Sequence, residues 1–374
     1  MKKVLNYFKN NKLLSFSFLL AIISCLIGRF SIGDIDFKVI LTLFGLMLLI
    51  QGFEEIGFLR FVAQKLMHYS KDSRQLVQLM IILALIGSMF LTNDVAILTL
   101  LPIYLKILQI LPQFKGRFLG AVLIIVAANL GSSFFPFGNP QNLYLYDFYH
   151  VELGQFLSWM GAVLVLSSVL IGLLTFFVEK DPLSEMNFEE QSEMNFEEQV
   201  VDKKEGFLLA ALMLVMILVV LNIFAYLWAV ALVALIILFY RRELFARVDY
   251  GLLLTFVFFF IIVGNIGQMA AIKNFLKSLN GHSVYLASLG LSQVISNVPA
   301  AFLIAPFTTN QQAVILGVNI GGLGTLIASL ANLIGYNLFR VYYSNETKKF
   351  LGLFSVINFT LLLVLGGIFY FVIH

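Results

Sequence analysis

The chain has 374 residues, 60% of them hydrophobic and 12% charged, with a formal net charge of +3. A soluble domain carries about 25% charged residues, so this charge content and a mean hydropathy of +0.94 exclude one and describe a polytopic membrane protein. A single cysteine, Cys25, excludes an internal disulfide and a cysteine-built metal site, and no nucleic-acid partner is expected.

About 20 apolar residues cross a bilayer as a helix. The first run, 13–30, follows Lys2, Lys3, Lys9 and Lys12 and shows no clear small-residue cleavage site, so it reads as a retained span. Further spans are expected at 37–54, 117–146, 154–178, 206–224, 226–240, 250–267, 311–340 and 351–373. Those at 117–146 and 311–340 are too long, and each contains a polar, Gly-rich break, which predicts two broken helices. The apolar stretches 75–110 and 283–308 are interrupted by Asn93-Asp94 and by Asn297-Val298-Pro299. They read as re-entrant hairpins, whose non-helical tips need protein or a water-filled cavity around them. Segments 56–69 and 268–280 read as amphipathic interfacial helices. Residues 179–205 hold SEMNFEEQ twice in tandem, at 184–191 and 192–199, and read as a solvated acidic linker.

The expected fold is therefore all-α: an N-terminal half (1–178), the linker (179–205), a linking span (206–225) and a C-terminal half (226–374), each half holding one hairpin and one broken helix, the second inverted relative to the first. With hairpins at those places, Arg60, Lys65, Lys71, Arg74, Lys106, Lys115, Arg117, Arg241, Arg242, Arg247, Arg340, Lys348 and Lys349 share one side with the N-terminal lysines. That side is the cytoplasmic one by the positive-inside rule, which puts the N-terminus in the cytoplasm and the C-terminus outside. The other side carries Arg29, Lys38, Lys273 and Lys277.

The two breaks match each other. AANLGSSFFPFGNPQNLYLY (127–146) aligns without a gap with GVNIGGLGTLIASLANLIGY (317–336), at a constant spacing of 190 residues. Asn129 falls on Asn319, Gly131 on Gly321 and Asn142 on Asn332. LTNDVAILTLLPIYL (91–105) aligns with ISNVPAAFLIAPFTT (295–309) at a spacing of 204, so Thr92 meets Ser296 and Asn93 meets Asn297. Paired interruptions in corresponding places of two halves point to a secondary transporter's binding site.

Asp94 is the one acid placed deep in the membrane, and Val298 stands at its counterpart. An intramembrane acid is a functional candidate. It can bind Na⁺ with the Asn93 amide and backbone carbonyls, carry a proton, or cap the helix that follows. Thr92, Asn93, Ser296 and Asn297 are candidate ligand contacts or turn formers. Ser132, Ser133, Asn139, Gln141, Asn142, Thr325, Ser329 and Asn332 line the breaks. Gly131, Gly138, Gly321, Gly322 and Gly324 permit close backbone approach, and Pro136, Pro140 and Pro299 suit helix interruption. Glu54 and Glu55 read as interfacial. No Arg or Lys lies deep in a span, so an anionic substrate needs helix dipoles and a bound cation to balance it. The coupling ion is Na⁺ or H⁺, and no other cofactor is expected.

The order of a TND tip, a GNPQN broken helix, an SNVPA tip and a GGLGT broken helix resembles the ion transporter superfamily of arsenite permeases, D-type sodium/proton antiporters, and citrate and divalent anion/sodium carriers. The resemblance covers roughly 37–373. Asn93-Asp94 looks like the arsenite-permease and antiporter branch. Val298 replaces the Thr that the divalent-anion symporters carry, a departure from dicarboxylate recognition. The chain is similar to compact bacterial permeases of the arsenical-pump or citrate-carrier type. The resemblance implies elevator transport, in which hairpins and broken helices move against a scaffold that often dimerises.

Two functions stay open: an ion-coupled carrier of a small anion or oxyanion in the cytoplasmic membrane, and a Na⁺/H⁺ antiporter using Asp94. An enzyme is not expected, because His68, His150, His282 and His374 are scattered and Asp94 has no second acid at depth.

Overall fold

The computed structural model describes residues 12–29, 31–67, 69–111, 114–183, 202–266, 269 and 280–373. The tandem acidic repeats and nearly all of the amphipathic segment at 268–280 lie outside the described residues.

The described residues form helices joined by short turns. The N-terminal half holds α1 (Lys12–Ile27), α2 (Phe37–Glu55), α3 (Phe58–Met67), α4 (Ser73–Leu91), α5 (Asn93–Ile110), α6 (Arg117–Ser132), α7 (Pro140–Tyr149) and α8 (Leu153–Leu174). After the linker come α9 (Lys203–Val220), α10 (Tyr226–Tyr240), α11 (Tyr250–Ile266), α12 (Gly281–Ile295), α13 (Asn297–Ile304), α14 (Gln311–Ile320), α15 (Leu330–Tyr342) and α16 (Thr347–Tyr370). Among the described residues four stretches, at α2, α4, α8 and α16, are long and apolar enough to cross a membrane alone. Asp36, Asp72, Asn139, Asp202 and Asn280 cap α2, α4, α7, α9 and α12, each side chain accepting a backbone N–H of the first turn.

At each expected hairpin the chain forms two helices joined by a turn, and each overlong apolar run is broken in two. α4 and α5 are joined at Thr92, and α12 and α13 at Ser296. Each pair of helices packs along itself. The two ends of the first hairpin meet the chain that leaves α8. Arg74 Nε donates to the Val178 carbonyl at 2.8 Å, and the Glu179 N–H donates to the Lys115 carbonyl at 2.9 Å. The second hairpin opens at the opposite end of the molecule. There the His282 ring lies 4.6 Å from Tyr370 at the close of α16, and the Tyr149 hydroxyl donates to the Ala305 carbonyl at 3.0 Å. The start of α16 lies at the first end, where Phe118 packs on Phe339 and Phe339 on Phe350.

The packing separates into two groups. α1 packs on α11, and α2 packs on α9 and α10. This framework is tied by Arg241, which reaches Glu55 at 2.9 Å, Glu205 at 2.7 Å and Glu243 at 2.7 Å. The second group holds both hairpins and both broken helices. Its pairings repeat across the halves: α4 on α6 and α12 on α14, α5 on α15 and α13 on α7. Glu55 is thus an ion-pair partner at the end of α2. Glu54 borders a crevice with Arg60 and Thr99.

Candidate functional site

The site is built where two helices stop. α6 ends at Ser132 and the chain turns helical again at Pro140 as α7. α14 ends at Ile320 and resumes at Leu330 as α15. The backbone groups freed there need partners, because burial without them is costly, and asparagine amides supply most of them.

Asn129, near the end of α6, donates Nδ2–H to Asn332 Oδ1 at 2.7 Å. Asn319, near the end of α14, donates to Asn142 Oδ1 at 2.6 Å. These are the aligned residues with the halves exchanged. The exchange continues. Ser329 Oγ donates to Asn129 Oδ1 at 2.9 Å, and its counterpart Asn139 donates Nδ2–H to Asn319 Oδ1 at 3.3 Å. Asn142 donates to the carbonyls of Ser133 and Phe135, and Asn332 to those of Gly322 and Thr325. Asn142, Asn332 and Ser329 are all buried. A buried amide makes such bonds or costs roughly 1–3 kcal/mol, so the network fixes the two breaks against each other.

The hairpin tips reach the same place. Asn93 donates Nδ2–H to Asn129 Oδ1 at 3.1 Å, and the Asn297 N–H donates to the Ala328 carbonyl at 2.9 Å. A Cβ on Gly322 would lie 2.9 Å from Asn297 Nδ2, and one on Gly321 would lie 2.8 Å from the Ser292 Cβ, so glycine is what admits the second hairpin. Gly131 receives the first hairpin at Leu85 and Ser88 in the same way.

Several sequence expectations change. The strained tip residues are Thr92 (φ 70, ψ 158) and Ser296 (φ 78, ψ 152), not the asparagines beside them. Asp94 is not a helix cap: no side chain caps α5, and Asp94 Oδ1 is buried with no hydrogen-bond partner among the described residues. Asn93 Oδ1 accepts the Asp94 N–H at 3.0 Å, so only its remaining lone pair could serve a cation. Pro140 and Pro299 do not interrupt helices but stand in the first turns of α7 and α13, where the missing N–H costs nothing. Pro136 lies in the break itself. Ser132 and Ser133 turn their hydroxyls to the Asn129 and Leu130 carbonyls. Gly138 and Gln141 are buried beside the network without joining these bonds, and Val298 presents only an apolar side chain.

Sequence reasoning missed Gln293. Its Nε2 donates to the Gly321 and Leu323 carbonyls at 2.8 and 3.0 Å, and its Oε1 accepts the Thr325 N–H at 2.9 Å. Gly324, at φ 99, turns the chain around it. The aligned residue in the first half is Met89, which has no amide. There Phe90, Phe135 and Phe137 brace the break by ring contacts of 5.4 and 5.1 Å instead. A lone glutamine three residues before the tip was the available signal. Among the described residues no group of three His, Cys, Asp or Glu could hold a metal ion, and the site's polarity is that of amides, hydroxyls, helix ends and one carboxylate.

A many-helix apolar chain whose broken helices and hairpin tips meet in a polar interior is a multi-pass membrane transporter. The model of the citrate transporter family matches residues 12–315, and the chain belongs to that family. It is 35% identical over 309 residues to Uncharacterized transporter MJ0456 of Methanocaldococcus jannaschii, covering 81% of each chain. It is 30% identical over 308 residues to Inner membrane protein YbiR of Escherichia coli, covering 81% of this chain and 80% of that one.

Proposed function

We propose that the protein is an ion-coupled secondary active transporter that carries a small anion or oxyanion across the cytoplasmic membrane, Asp94 holding the coupling ion. The observation that carries this reading is the unpartnered Asp94 Oδ1 beside a network of amides shared by both halves. An anion and an ionised Asp94 repel each other at short range. A Na⁺ or H⁺ on Asp94 removes that repulsion, and the N-termini of α5, α7, α13 and α15 then favour negative charge. Such an order of binding couples the two fluxes.

The opposed openings of the two hairpins and the exchanged amide pairs support an inverted-repeat plan. The division into a framework and a hairpin-bearing group supports an elevator motion of one against the other. The family's description makes citrate the first anion to test, and the Escherichia coli relative's name suits the inner membrane. A second reading, Na⁺/H⁺ exchange, rests on the same unpartnered carboxylate.

The test is to record currents from the purified protein in liposomes on a solid-supported membrane. The anion-carrier reading expects silence on Na⁺ and pH jumps alone and currents when citrate or another small anion is added. Full currents on Na⁺ jumps alone would overturn it in favour of the exchanger.

A further inference from the structure

Lys38 stands in the first turn of α2, and its ammonium lies between two oxygens. One is the carboxylate of Asp147, near the end of α7. The other is Asn222 Oδ1, 2.6 Å away, in the turn between α9 and α10. Asn222 adopts a left-handed conformation (φ 59) that closes α9, a role asparagine fills readily. α2, α9 and α10 belong to the framework, whereas α7 belongs to the group that holds the hairpins. This ion pair therefore bridges the two groups. It borders a crevice walled by Val39, Leu143 and Val219, in which the 2%-exposed Thr42 carries a buried Oγ1 with no hydrogen-bond partner among the described residues.

We propose that Lys38, Asp147 and Asn222 form an ionic latch that holds the two groups in the relative position seen here. The inference rests on the reading that these groups move against each other during transport. The asymmetry of the three residues gives the device its logic. Lys38 and Asn222 sit on the same group, so their hydrogen bond survives a displacement. Asp147 sits on the other group. A shift of one helical turn, about 5.4 Å, takes its carboxylate away from the reach of a hydrogen bond. The ammonium keeps its amide partner, and Asp147, whose side chain is only 14% exposed here, must exchange its cation for water. Apolar walls around the crevice limit that water while the latch is shut, which strengthens the pair. The ion pair thus exists in one arrangement only and biases the balance between them.

The test is double electron–electron resonance on the full chain in nanodiscs, in a Cys25→Ser background. Spin labels go on Gln155→Cys in α8, which packs on α6 of the hairpin-bearing group, and on Trp228→Cys in α10 of the framework, both exposed positions. The native chain is expected to show one dominant distance and a minor second one. Asp147→Asn and Lys38→Gln are each expected to raise the minor population about fivefold, and the charge exchange Lys38→Asp with Asp147→Lys to return it to the native balance. Two distances whose populations ignore all these changes would overturn the latch and leave the moving groups intact. A single distance in every variant, with Na⁺, citrate and pH steps applied, would overturn the motion and the latch with it.

Discussion

Asp94 and Val298 occupy aligned positions at two otherwise similar hairpin tips, so the chemistry of the two sites differs by one carboxylate. The sequence made that asymmetry legible, because an acid in an apolar run stands out against its counterpart. It did not show that Asn129 bonds Asn332 and Asn319 bonds Asn142, because alignment reports equivalence and not contact. The two contacts are equivalents of each other: exchanging the aligned residues turns Asn129–Asn332 into Asn319–Asn142. Replacing Asn129 or Asn319 with leucine leaves a buried amide unpartnered. Each change should lower stability by roughly 1–3 kcal/mol, and by similar amounts, as read from thermal unfolding in detergent. A silent Asn319→Leu would deny the reciprocity. Thr92 and Ser296 give the opposite expectation: glycine there relieves a backbone conformation costing of order 1–3 kcal/mol. Thr92→Gly and Ser296→Gly should each raise the unfolding temperature, and a drop in either would show that the side chain contributes more than the strain costs.

At the scale of elements, hairpin and broken helix meet where glycine leaves room. A Cβ on Gly131 would overlap the Leu85 carbonyl, and one on Gly321 would press on Ser292, whereas nothing lies within 4 Å of a Cβ built on Gly154 or Gly172. Gly131→Ala and Gly321→Ala should therefore cost about 1–3 kcal/mol and separate hairpin from helix. Gly154→Ala and Gly172→Ala should leave unfolding unchanged. Equal effects at all four positions would remove packing as the reason for these glycines. The elements themselves were readable from sequence because polar residues interrupt apolar runs that are too long for one crossing. Their joints were less so. Pro140 and Pro299 suggest breaks, but proline is equally suited to a first helical turn, and only the path of the chain decides. Gln293 passed unnoticed because a single glutamine in a membrane run carries no periodic signal, and its value lies in three bonds to a loop about 30 residues away.

At the scale of the molecule, the helices pack as two groups. The framework is joined internally by Arg241 and its three carboxylates, and the hairpin-bearing group by the amide network. The ion pair of Lys38 and Asp147 crosses between them. Composition and span lengths foretold an all-helical, multi-pass membrane chain. They did not foretell this division, because the framework and the hairpin-bearing group each draw helices from both ends of the chain. In the proposed function, ion coupling passes through Asp94. The most direct measurement compares native protein and Asp94→Asn in the same liposome preparation, following citrate uptake and currents under imposed Na⁺ and pH gradients, with equal unfolding temperatures as the control for folding. The variant is expected to fold and to lose gradient-driven transport at least a hundredfold, a loss of roughly 2.7 kcal/mol in coupling. Native transport by a folded Asp94→Asn protein would contradict it.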